Sequence, residues 1–337
     1  MPKRLGVGVI GVGAMGKRHA ENLRRLVPEA TLVAVADANF KRAQEVATEL
    51  EVDHAYERPE ALTGRSDIQA IVIATPAKFH GPLIELCAGA GKDIFCEKPL
   101  TLTLREADAA LAAVAKAHVR LQPGHVRRYD PPNVSAKKRI DNGEIGDPVI
   151  FKSLARDPAP PTVAYMQSGV NGMLYQDSTV HEFDLSRWLM NDEIAELQAY
   201  GGVLACSRIA EFNDIDSTLV NIKFTRGALG NIENYMQACY GYDIRTEIVG
   251  TRGTLITGYL RQTAEVVLTS AGARCEVVDH FLVRFAEGYL NEMRDFVRAI
   301  CRDHDTSVTG YDGRQAVAAA EAAEKSYREA RPVAVAK

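Results

Sequence analysis

Apolar positions in residues 1–124 fall into two alternating patterns. Short apolar runs at Leu5 to Ile10, Thr31 to Ala36, Ala70 to Ala74 and Asp93 to Cys96 read as strands buried on both faces. Between and after them, Ala14 to Val27, Phe40 to Leu50, Pro82 to Ala90 and Leu104 to His118 read as helices. Strand then helix, repeated, predicts an α/β domain with a Rossmann-type, doubly wound parallel sheet.

The pattern changes at Pro123-Gly124. One helix is expected over Asn133 to Asp141. Strands then dominate: Val149 to Leu154, Ile194 to Val203, Ser217 to Phe224, Leu229 to Tyr235, Ile244 to Val249, Thr254 to Thr257 and Ala264 to Leu268. Gly-containing turns between several of them predict antiparallel hairpins. Further helices are expected over Ser178 to Leu189, Phe281 to Cys301 and Arg314 to Ala330. The expected architecture is a nucleotide-binding domain, residues 1–124, and a C-terminal α+β domain, residues 125–337, built on a large, open, mainly antiparallel sheet. An open sheet of that size needs its exposed face covered, and self-association is the simplest cover.

Composition narrows the function classes. The 337 residues are 46% hydrophobic with a formal net charge of −4, so no electrostatic pull toward nucleic acid or an anionic membrane is expected. No apolar run reaches the length of a membrane span. The N-terminal apolar stretch is broken by Gly6, Gly8, Gly11 and Gly13, unlike a signal peptide, so the expected location is cytoplasmic. The six cysteines include no Cys-x-x-Cys pair and no zinc-type spacing, so no metal site is expected.

Gly11-Val12-Gly13-Ala14-Met15-Gly16 is a Gly-x-Gly-x-x-Gly run between the first strand and the first helix. Gly11 permits the tight turn, Gly13 lets backbone approach a pyrophosphate, and Gly16 permits close helix–strand packing. The helix N-terminus offers free N–H groups to phosphate. Asp37 lies at the end of the second strand, 21 residues after Gly16, where a carboxylate accepts ribose hydroxyls and repels a 2′-phosphate. That favours NAD over NADP, although Lys41 and Arg42 lie close by. Asp37 is also placed to cap the helix from Phe40.

Two further clusters carry chemistry. Glu97-Lys98-Pro99 follows a strand, at the carboxyl ends where ligands bind in open α/β sheets. Lys98 there is either an acid–base group or an ordinary surface lysine. Asp177-x-x-x-His181-x-x-Asp184 puts two carboxylates and an imidazole on one helix face. It serves acid–base chemistry, or Asp177 only caps the helix and His181 is structural, or the three bind a metal.

With these elements in this order, the chain resembles the Gfo/Idh/MocA oxidoreductases, and within them the bacterial inositol 2-dehydrogenases. Gln122 to Asp130, His181-Glu182-Phe183-Asp184 with Trp188-Leu189, and Tyr240-Gly241-Tyr242-Asp243 with Glu247 to Gly250 carry the likeness. The resemblance implies NAD-dependent oxidation of one secondary hydroxyl of a cyclic polyol, with Lys98, Asp177 and His181 catalytic. His181 is the implied acid–base, Asp177 its orienter, and Lys98 polarises the hydroxyl. The implied cofactor site takes in Gly11, Gly13, Ala14, Met15, Gly16, Asp37, Thr75, Pro76, His80, Glu97 and Lys98. The implied substrate site takes in Lys98, His125, Asp157, Asp177, His181, Asp184, Tyr240 and Tyr242. A homotetramer is implied as well.

The departures concern substrate. Ala155-Arg156-Asp157-Pro158 replaces a His-Arg-Asn-Pro segment usual in myo-inositol enzymes, and His125-Val126 replaces a Phe-Met pair. Thr75-Pro76-Ala77 replaces a commoner Ser-Pro-Asn-like segment. The resemblance therefore leaves myo-inositol, scyllo-inositol and a pyranose aldose open, with NAD-dependent glycoside hydrolysis as the alternative chemistry within the family.

Overall fold

The computed structural model describes residues 4–167, 172–259, 261–262 and 265–337. The chain separates into two compact units, Met1–Tyr129 with Glu287–Val317, and Asp130–Ala286 with Ala318–Lys337. The first unit is thus not one continuous stretch.

Its sheet has six strands, β1 (Leu5–Ile10), β2 (Ala30–Ala36), β3 (His54–Tyr56), β4 (Ala70–Ile73), β5 (Asp93–Glu97) and β6 (Leu121–Gly124). They pair in the order β3-β2-β1-β4-β5-β6, all parallel. The order reverses beside β1, so the turn after β1 opens at the switch point where α/β sheets bind ligands. β1 and β4 are buried along their whole length, as their unbroken apolar sequences predict. Val7, Val9, Val72 and Phe95 pack with Met293, Phe296 and Val297 of the helix Ala286–Cys301 in one core cluster. The helix Leu104–Ala117 starts at a capping box in which Thr103 and Glu106 each accept the other's N–H, and it stops at left-handed His118. Two short strands, β3 and β6, escape the apolar pattern because their sequences, His-Ala-Tyr and Leu-Gln-Pro-Gly, are not apolar runs.

The second unit holds a seven-stranded sheet. Its strands are β7 (Pro148–Arg156), β8 (Ile194–Gly202), β9 (Ser217–Phe224), β10 (Leu229–Tyr235), β11 (Asp243–Gly250), β12 (Thr254–Gly258) and the terminal Val333–Ala334. All neighbours are antiparallel except β7 and β10, which run parallel. Alternation along β9 and β10 divides the faces, and directly opposed residues share a face. One face presents Ile222, Phe151 and Ile248 to a buried cluster with Phe183, Leu185 and Leu189 of the helix Val180–Met190. The other face carries Tyr200, Leu219, Leu229, Ile150 and Ile256, all exposed.

Three expectations change. The predicted helix Ser178 to Leu189 is two pieces: a π-helical turn, Tyr175–Thr179, leading into the α-helix Val180–Met190. The predicted helix Phe281 to Cys301 is broken at Phe285, whose backbone leaves the helical region. Of the predicted strand Ala264 to Leu268, residue 264 lies outside the described residues, and the strand found is Val267–Thr269.

Candidate functional site

The cofactor half of the site is local to the first unit. Gly11 has φ +83°, and a Cβ there would lie 2.7 Å from the Ala74 carbonyl oxygen. A Cβ at Gly16 would sit 1.7 Å from the Gly11 carbonyl oxygen, so the helix packs on the turn only as glycine. At Gly13 an added Cβ meets nothing within 4 Å. The helix Ala14–Arg25 begins there without any side-chain cap, which leaves its first N–H groups to a ligand.

Asp37 is built into this turn. Its Oδ2 accepts the Val12 N–H at 2.9 Å and its Oδ1 accepts the Asn39 N–H at 2.9 Å. It does not cap the helix Phe40–Glu49: Asn39 is the cap, accepting the Arg42 N–H at 3.2 Å. The Arg42 guanidinium donates to the Val12 carbonyl at 3.1 Å and so braces the same turn. An ionised carboxylate fixed here keeps lone pairs for ribose hydroxyls and opposes a 2′-phosphate.

Thr75 and Pro76 follow β4, and Thr75 Oγ1 has no hydrogen-bond partner among the described residues. His80 is fully enclosed, with Nδ1 2.8 Å from the Pro99 carbonyl and Nε2 2.8 Å from the Thr75 carbonyl. Burial outweighs both carbonyls and holds its pKa below the ordinary value. His80 therefore sits between the Thr75 and Pro99 turns, and its neutral ring donates its one N–H to one of the two carbonyls. Glu97 is buried too, its Oε2 accepting the Lys98 N–H at 3.1 Å. Lys98 is half-buried, and its peptide bond to Pro99 is cis. His125 is buried at the end of this stretch.

A dinucleotide fits these residues: an open glycine, an uncapped helix start, a fixed carboxylate after β2 and an orphan hydroxyl after β4.

The second unit supplies the acid–histidine cluster. Asp177 lies in the π-helical turn and is not the cap of the helix that follows, whose N-cap position is Thr179. Such single π turns recur at functional sites, because the extra residue re-aims side chains. Tyr165 donates its hydroxyl to both oxygens of Asp177, at 3.0 and 3.1 Å. The sequence gives Tyr165 no motif, and this contact marks it. His181 is half-buried one turn on, and Asp184 is buried with Arg187 Nη1 4.0 Å away.

Asp157 follows β7, its N–H donating to the Tyr235 carbonyl and its carbonyl accepting the Ala238 N–H, each at 2.8 Å. Tyr240 is exposed, accepts from Arg156 at 2.9 Å and donates to Asp243 at 2.9 Å. Tyr242 is buried edge-on against Phe285. The structure thus brings Asp177 and His181 together on adjacent turns and anchors Asp157 and Tyr240 near each other through the end of β7.

The first unit thus carries a dinucleotide-binding turn and the second an acid–histidine cluster, the separate parts that a nicotinamide-dependent oxidoreductase needs. Two family models match the chain: the NAD-binding Rossmann fold of the oxidoreductase family GFO_IDH_MocA over residues 5–125, and its C-terminal alpha/beta domain over residues 137–335. The chain belongs to that family. It is 36% identical over 328 residues to a myo-inositol 2-dehydrogenase of Thermotoga maritima, spanning 97% of each chain. It is 35% identical to a scyllo-inositol 2-dehydrogenase (NAD(+)) of Bacillus subtilis, over 99% of this chain and 97% of the other. Among solved structures, scyllo-inositol dehydrogenase of Lactobacillus casei with bound NAD(H) and scyllo-inositol superposes with a TM-score of 0.94 at 28% identity, covering 99% of this chain and 100% of that one.

Proposed function

We propose that this chain is an NAD-dependent inositol 2-dehydrogenase, oxidising one secondary alcohol of a cyclic polyol to the ketone. The observation that carries the reading is whole-length similarity to inositol dehydrogenases in a chain whose turn after β1 fits a dinucleotide. NAD is held by Gly11 to Gly16, Asp37 and the turn at Thr75, and when bound it supplies the hydride acceptor. His181 takes the hydroxyl proton, Asp177 orients the ring, and the Lys98 ammonium polarises the reacting oxygen. His125, Asp157, Asp184, Tyr240 and Tyr242 read the remaining hydroxyls. Asp157 accepts hydroxyl hydrogens only, so it selects for isomers that present a donor there.

The working form is a cytoplasmic homotetramer. Free cysteines and the absence, among the described residues, of a helix long and apolar enough to cross a membrane support the location. The exposed apolar residues on the outer sheet face support the assembly.

The test is NADH formation with a panel of myo-inositol, scyllo-inositol and glucose, each with NAD and with NADP. Turnover with an inositol and NAD is expected to exceed every glucose or NADP rate. Turnover confined to glucose, or release of sugar from aryl glycosides without net NADH, would overturn the reading.

A further inference from the structure

A buried polar trio lies beneath the turn that carries Lys98, entirely within the first unit. His19, on the helix Ala14–Arg25, is fully enclosed, with its ring edge-on to Phe95 and Tyr289. Its Nε2 lies 2.6 Å from Glu97 Oε1 and 3.9 Å from Glu292 Oε1. Its Nδ1 has no partner among the described residues, so the ring carries its shared proton on Nε2. Glu292, on the helix Ala286–Cys301, is fully buried, and neither of its carboxyl oxygens has a hydrogen-bond partner among the described residues. Glu97 uses both of its oxygens, one toward His19 and the other toward the Lys98 N–H at 3.1 Å. Gly124 packs close beside it: a Cβ there would come within 3.1 Å of Glu97 Oε2.

We propose that His19, Glu97 and Glu292 are positioning residues for Lys98, with Glu97 as an ionised two-sided acceptor that fixes the backbone from which Lys98 projects. The proposal rests on the reading of Lys98 as catalytic. The two glutamates play opposite parts. Glu97 needs two acceptor oxygens, because it faces two N–H donors. Burial works against its charge, yet the His19 hydrogen bond, the Lys98 ammonium and the Lys98 N–H hold its pKa below the ordinary carboxylate value. Glu292 faces no donor, and burial together with the charge of Glu97 pushes its pKa well up. It is therefore the neutral member, a carboxylic acid that fills the space against the trio without adding a second buried charge.

Amide substitution separates these parts. Glutamine is isosteric with a protonated glutamate, so Glu292→Gln should restore most of the activity that Glu292→Ala loses. Glutamine at 97 has one acceptor oxygen, so its NH2 either confronts an N–H donor or drives His19 to the tautomer with its proton on Nδ1, which no described residue accepts. Glu97→Gln should therefore lower kcat by about tenfold, the scale of a misplaced catalytic group, with little change in polyol KM. The melting temperature, read by thermal denaturation, should stay near that of the parent. If Glu97→Gln does not fold, His19→Phe carries the test, since it keeps the ring contacts and removes the donor. Its kcat should fall by a similar factor. Parent-like kcat in folded Glu97→Gln or in His19→Phe would overturn the proposal, as would failure of Glu292→Gln to improve on Glu292→Ala. Lys98→Ala, assayed alongside, keeps the two readings apart: activity retained there sinks the role of Lys98, whereas an inactive Lys98→Ala beside an active Glu97→Gln sinks only the trio.

Discussion

Three glycines in six residues have three different physical jobs, and the jobs predict different failures. A side chain at Gly16 collides with backbone 1.7 Å away, so Gly16→Ala should destabilise the fold by about 1–3 kcal/mol or more. Gly13 faces open space, so an added methyl clashes with no protein atom within 4 Å. Gly13→Ala should keep the melting temperature and weaken NADH binding by about tenfold, because the methyl stands where phosphate approaches. Thermal melts and fluorescence titration of both variants check this; equal stability loss in the two would contradict it. This part of the site is legible in the sequence because each requirement is local to the turn. Asp37 is legible for the same reason, although its neighbour Asn39, and not Asp37, caps the helix. Tyr165 and the trio of His19, Glu97 and Glu292 are not legible, since residues distant in sequence meet only through the fold.

At the scale of elements, the π-helical turn Tyr175–Thr179 depends on a neighbour that titrates. Asp214 Oδ1 accepts the Leu174 N–H at 3.0 Å and the Ile215 N–H at 2.8 Å. Burial pushes its pKa up to about 6, and the charges of Asp177 and Glu324 add to the shift, although the two backbone N–H groups oppose it. A carboxyl whose folded pKa is raised costs nothing while protonated in both states. It lowers stability as pH rises from the ordinary carboxylate range through about 6, and the full penalty remains above that. Asparagine can accept both N–H groups through its single oxygen and carries no charge. Asp214→Asn should therefore raise stability by on the order of 1–3 kcal/mol near pH 8 and leave it unchanged near pH 4. Melts at the two pH values test this, and an equal effect at both would refute it. The helix that contains His181 is legible from its apolar spacing. The π turn before it is not, because one inserted residue leaves the flanking periods intact.

At the scale of the molecule, the fold class and the strand-rich second half are legible because β-strand alternation and βαβ repetition each leave a long pattern. The parallel pairing of β7 with β10 inside the second sheet is not, since pairing partners are chosen after the strands form. The outer face of that sheet carries Tyr200, Leu219, Leu229, Ile150 and Ile256 in the open, an apolar surface that self-association would cover. Leu219 points away from the buried cluster, so Leu219→Lys should leave the fold intact and break the assembly. Light scattering after gel filtration should show a tetramer for the parent and a smaller species for the variant; a monomeric parent or an unchanged tetramer would contradict the assembly.

In the proposed function Lys98 and His181 act on one hydroxyl during NAD-dependent oxidation of an inositol. Initial rates of NADH formation for Lys98→Ala, His181→Ala and the double variant test it most directly. Each single change is expected to lower kcat by about 10²-fold or more. The double variant should be little slower than the slower single one, because groups that act as a unit lose their effect together. Losses that multiply, or a single variant that turns over like the parent, would contradict the claim.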